Sequence, residues 1–213
     1  MEMDSNKFLE WKDSASQEDL RLIERLYDLG DYFLDMLFEP GSTVDSLIRC
    51  QSMTDGGEWK DDAVARPDIL EYFCYNYFRT KVEPLKGCGG YFDKKEQLLC
   101  ISTENLKDDS VILHEMIHLH EAVLEDVPLF YHDTLLWALY INLKSKIGNL
   151  DEIVLGYAHI LNEQSICNQG GLHDILFLLK SLDLDIRMGY QLGTTFSYDM
   201  KNELKDYTYR SES

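Results

Sequence analysis

Two histidines four residues apart stand with a glutamate directly after the first, in the run His114-Glu115-Met116-Ile117-His118. On a helix this spacing puts both imidazoles on one face, one turn apart, where they can reach one metal ion. The glutamate then lies beside the water that the metal would activate, placed to act as a base. A catalytic zinc site uses three protein ligands and keeps a fourth position open for water. The motif supplies two ligands and a base, so a third ligand must come from elsewhere in the chain.

The neighbouring residues supply the helix that this chemistry needs. The pattern predicts a helix from Val111 to Glu125, with Asp108, Asp109 and Ser110 as N-cap candidates. Ile112, Met116, Leu119 and Val123 recur at helical spacing and form a core stripe, with His114 and His118 off it. Ahead of the helix, Gly89-Gly90-Tyr91-Phe92 and Gln97 to Ser102 read as two strands joined by a turn at Asp93 to Glu96.

Helical patterns flank this centre. Gln17 to Phe38 is amphipathic, with Leu20, Ile23, Leu26, Tyr27, Leu34 and Leu37 on one side, and Glu39-Pro40-Gly41 ends it. Thr43 to Cys50 reads as a short helix. Pro67 opens another that runs to about Val82, and its aromatics (Tyr72, Phe73, Tyr75, Tyr77, Phe78) read as packed core rather than a base-stacking platform. Further helices are expected at Asp133 to Ile147, Leu150 to Ile166 and Leu172 to Met188. Gly148-Asn149 and Gly170-Gly171 punctuate them, and a charged, frayed tail follows from Lys201. The expected class is α+β, mostly helical, with a short sheet before the motif helix. The expected layout is a helical region at 1–86, a core at 87–200 and the tail at 201–213, all in one compact domain.

Composition narrows the function classes. A net charge of −19 repels phosphate backbones and anionic lipid, and the basic stretch from Lys81 to Lys95 is interrupted by Glu83 and Asp93. This argues against nucleic acid as a partner. No apolar run approaches the roughly 20 residues that span a bilayer. The acidic N-terminal stretch lacks the basic-then-apolar pattern of a secretory signal. Five scattered cysteines, Cys50, Cys74, Cys88, Cys100 and Cys167, form no C-x-x-C pair and fit reduced thiols in the cytoplasm.

The search for the third ligand leaves two main candidates. The residue three after His118 is Glu121, where metzincins place the glycine that lets their chain turn, so that arrangement is excluded. His132 lies beyond Pro128 at the opening of the next helix, and two helices joined by a short loop can bring such ends together. On these residues the chain resembles the SprT-like (Spartan-like) metalloprotease family. The matching run is the 114–118 motif, then Tyr131-His132-Asp133, then Leu136 and Trp137, preceded by a short sheet; it covers roughly residues 87 to 147. The rival is Glu163: Asn162-Glu163-Gln164-Ser165 resembles the stretch by which thermolysin-like gluzincins supply a glutamate ligand. Glu152 and His159 stand behind these two. His120 and His173 read as structural histidines.

The expectation is a zinc-dependent peptidase of the zincin type acting on a protein or peptide substrate. His114, His118 and His132 (or Glu163) would hold Zn²⁺, with Glu115 as general base. An extended substrate would add to the edge of the hairpin through main-chain hydrogen bonds. Tyr131, Tyr157 and Tyr190 are candidates to steady the oxyanion. The alternative is a non-catalytic interaction module of the same fold with a structural or vestigial metal site.

Overall fold

The computed structural model describes residues 11, 13–37, 79–124, 129–166, 173–197 and 200–210. The short helix expected at Thr43 to Cys50 and the aromatic stretch after Pro67 lie outside these residues. The described chain is mixed α+β and mostly helical, with one three-stranded sheet. It divides into two compact units, Met1–Tyr131 and His132–Ser213, so residues 87–131 group with the N-terminal region. Among the described residues no helix is long and apolar enough to cross a membrane.

The first unit opens with helix α1, Gln17–Leu37. Ser16 and Asp19 exchange bonds at its start. Ser16 N donates to Asp19 Oδ2 at 2.9 Å and Asp19 N to Ser16 Oγ at 3.1 Å, a capping box with aspartate in the usual glutamate place. The core face of α1 runs through Leu22, Leu26 and Leu29. Leu20, expected on that face, is instead exposed, because Asp19 is drawn inward. Its Oδ1 accepts the Val82 N–H at 2.7 Å and its carbonyl accepts the Thr80 hydroxyl at 2.8 Å.

Those two partners belong to β1, Arg79–Glu83, where a helix running to Val82 was expected. The β-branched Thr80 and Val82 alternate with Lys81 and Glu83, a pattern that suits a pleated surface better than a helix. β2 (Gly90–Asp93) and β3 (Leu98–Ser102) follow as a hairpin. β3 is central, parallel to β1 with Lys81 opposite Cys100, and antiparallel to β2 with Tyr91 opposite Cys100. Leu99, Cys100 and Ile101 are fully buried, as a strand covered on both faces requires. Helix α2, Asp109–Leu124, packs on β2, β3 and α1. Its start is fixed by Asp108, which accepts from Ser110 N and Oγ, and by Arg25 of α1, whose Nε donates to Asp109 Oδ1 at 2.8 Å.

The second unit carries α3 (Leu129–Lys146), α4 (Leu150–Ile166), α5 (Ile175–Met188) and the short α6 (Met200–Glu203). α3 begins four residues before the expected Asp133. α5 begins at Ile175 rather than Leu172, because Asp174 is its N-cap and accepts the Phe177 N–H at 2.7 Å. Residues 201–210 of the tail, expected to fray, are tied down: Tyr209 bridges to Ile147, and Arg210 N donates to the Lys146 carbonyl at 3.1 Å.

Asp185, near the end of α5, organises the turn that follows. Its carboxylate accepts the N–H groups of Gly193 at 2.7 Å, Thr194 at 3.2 Å and Thr195 at 2.8 Å. Gly193 has φ +85°, and a Cβ there would lie 2.7 Å from the Met200 carbonyl, so the turn admits only glycine. Burial pushes the Asp185 carboxyl up to about 6, against the pull of the three N–H donors. The folded chain therefore holds this proton more tightly than the unfolded chain, whose value is near 3.8. The stability it contributes is complete below about 3.8 and is lost as pH rises through about 6. Urea unfolding at pH 4 and pH 7 should show up to about 3 kcal/mol of such loss in the parent and none of that component in Asp185→Asn. Equal slopes in the two proteins would remove Asp185 as the titrating group.

Candidate metal centre

Helix α2 holds His114, Glu115 and His118 in surroundings more closed than the expected stripe implies. Ile112, Leu113, Met116, Ile117, Leu119 and His120 are all fully buried. A helix with apolar residues on almost every side belongs in an interior. His114 and Glu115 are 7% and 5% exposed, whereas His118 is half-buried, so the motif spans the boundary between core and solvent.

The two imidazoles meet edge to face, with ring centroids 5.2 Å apart. Glu121, one turn after His118, lies with Oε2 3.7 Å from His118 Nδ1. The contact is a loose ion-pair approach, longer than a hydrogen bond. Burial pushes the Glu115 carboxyl up to about 7, while the nearby His118 pulls the other way. An acid that binds and releases its proton near neutrality is suited to proton transfer.

His173 is 8% exposed and sits immediately before the N-cap Asp174. Its ring lies over Phe177, with centroids 3.9 Å apart, and meets Phe196 at 5.2 Å. Tyr157 of α4 donates its hydroxyl to the His173 carbonyl at 2.6 Å. Phe196 follows the turn that Asp185 holds, so the aromatic setting of His173 depends on that carboxylate.

Within the first unit, His114 and His118 are two imidazoles on one helix that could share a metal ion, and His173 belongs to the second unit. The donor chemistry of the pair suits zinc, and Glu115 stands beside it as a candidate base.

The third-ligand candidates read from the sequence lie in the second unit. His132 is half-buried in the first turn of α3. Glu152 and His159 are exposed on α4, and Glu152 accepts from Asn149 Nδ2 at 3.4 Å. Glu163 lies in α4, with its side chain outside the described residues. Of the tyrosines, Tyr157 commits its hydroxyl to His173, Tyr190 is half-buried, and the Tyr131 side chain is also outside the described residues.

His173 was read as structural because a helix from Leu172 placed it inside a helical pattern. The available signal was Asp174, three residues before Phe177. Taken as an N-cap, it puts His173 outside the helix, where backbone and ring are not bound to a helical stripe. No protein-family model matches the chain, and neither the curated proteins nor the solved structures include a similar one.

Tyr157→Phe preserves the ring and removes the bond to His173. It should cost about 1–3 kcal/mol in urea unfolding, the usual penalty for a buried acceptor left unsatisfied. An unchanged midpoint would show that the hydroxyl does not hold this segment.

Proposed function

We propose that this protein is a zinc-dependent peptidase, with His114 and His118 as metal ligands, Glu115 as general base and a third ligand supplied by His132, Glu163 or His173. The two imidazoles one turn apart on α2, with a buried glutamate next to one of them, carry the reading. Free thiols at Cys88 and Cys100 accord with a cytoplasmic setting.

A bound zinc ion would supply Lewis acidity and lower the pKa of water at the open position. The chain's own groups do the remaining work. Glu115 accepts a proton from the attacking water and delivers it to the leaving amine, a transfer that its position near neutrality favours. β2 lies at one edge of the sheet and packs on the motif helix, so an extended peptide can pair with its main chain beside Glu115.

Zinc content, zinc affinity and turnover of an unstructured peptide mixture test this reading together. The parent should carry about one Zn²⁺ per chain. His114→Ala and His118→Ala should weaken zinc binding severely, and so should one of His132→Ala, Glu163→Ala and His173→Ala, because without its third ligand the ion would keep only two protein groups. Should His132→Ala lose the metal and His173→Ala keep it, the third ligand is His132. Glu115→Gln should retain zinc and lose nearly all turnover. Zinc-loaded parent without turnover would favour the non-catalytic alternative, and a parent that takes up no zinc would remove the peptidase reading.

A further inference from the structure

The strand beside Glu115 opens with a glycine, Gly90, that lies against the proposed base. Gly90 pairs with Ile101 across the hairpin and lies against α2. An ideal Cβ at Gly90 would stand 2.9 Å from Glu115 Cγ, 2.9 Å from Ile101 Cδ1 and 2.9 Å from the Cys100 carbonyl oxygen. No backbone conformation calls for glycine here, since the positive-φ glycines are Gly87, Gly189 and Gly193. The requirement is close approach alone. One of the three neighbours is main chain of the central strand and cannot rotate aside. A second is the apolar tip of a fully buried isoleucine. The third is the side chain proposed as the base, which can give way by rotation about its own bonds, while only a shift of the strand relieves the contact with the carbonyl.

We propose that Gly90 is a positioning residue for Glu115: the bare strand backbone is the wall against which the Glu115 side chain rests, and it fixes the place of the carboxylate. This rests on the peptidase reading above. The wall also excludes water from the apolar side of the carboxylate, consistent with Glu115 being 5% exposed. A side chain at position 90 would push Cγ away and move the carboxylate with it. Neither His114 nor His118 is among the three atoms nearest such a Cβ, so the crowding falls first on Glu115, Ile101 and Cys100.

A double-mutant cycle with an independent spectroscopic readout tests this. Gly90→Ala should keep parental zinc content and a KM within about twofold, while kcat falls about 100-fold, the usual scale for an ångström of misplacement. In the Glu115→Gln background the same change should cost less than about twofold, since a residue that acts only through Glu115 has nothing left to act on. An equal loss in both backgrounds, or a rise in KM with kcat unchanged, overturns the proposal.

NMR of the zinc-free protein reads the geometry without turnover. The labelled methyl group that Gly90→Ala introduces should show a cross-peak to the Glu115 γ protons, and the Glu115 Cγ resonance should move from its parental position. An unmoved resonance overturns the proposal, whatever the kinetics. If the parent has no turnover, the peptidase reading falls and the NMR result alone decides whether Gly90 positions Glu115. Should Gly90→Ala fail to fold, Gly90→Ala with Ile101→Val removes the Cδ1 obstruction and takes its place. If that variant also fails to fold, Gly90 serves packing only and the proposal is wrong.

Discussion

A helix whose chemistry shares its turns with its core must be enclosed without being sealed, and this constraint shapes the first unit. Met116, Ile117, Leu119 and His120 are fully buried alongside His114 and Glu115, so α2 cannot lie on a surface with one face turned inward. Such a helix gains its stability from surrounding apolar contact rather than from its own propensity. The sheet meets it on one side, with β2 and β3 against it and Gly90 admitting the backbone to within van der Waals distance of Glu115. α1 meets it on another and is tied by the Arg25–Asp109 ion pair at the start of α2. Only the last part of the motif, His118 with Glu121, reaches toward solvent.

Much of this was legible in the residues. The motif helix, the hairpin and the helix at Leu150–Ile166 follow from patterns of period 3.6 or 2 and from turn residues, which act locally. Less legible were features that depend on partners distant in sequence. Arg79 to Glu83 has a short apolar alternation that becomes a strand because β3 offers it a parallel ladder. Leu20 has the spacing of a core residue but loses its place to Leu22 once Asp19 bonds to β1. A third metal ligand is hidden for a related reason: it must come from outside the motif helix, and spacing rules within one helix carry no information about that.

The second unit shows how a buried acid can serve a residue it never touches. Asp185 gathers three consecutive N–H groups and so sets the turn at Gly193 to Thr195. Phe196 follows directly, and its ring closes the aromatic cluster with Tyr157, Phe177 and His173. A histidine held by stacked rings and by its own carbonyl has few rotamers open to it.

Asp19 has a consequence for the life of the protein outside its resting fold. One oxygen caps α1, and the other occupies the Val82 N–H on the outer side of β1. Helix cap and sheet hem are thus a single stitch. Proteolytic trimming or fraying that removes Ser16 to Asp19 would loosen the helix and at the same moment bare a strand edge rich in β-branched residues. Such an edge invites pairing between molecules. The first turn of α1 therefore acts as a guard against self-association, and damage there should show itself as aggregation before the interior of the unit has come apart.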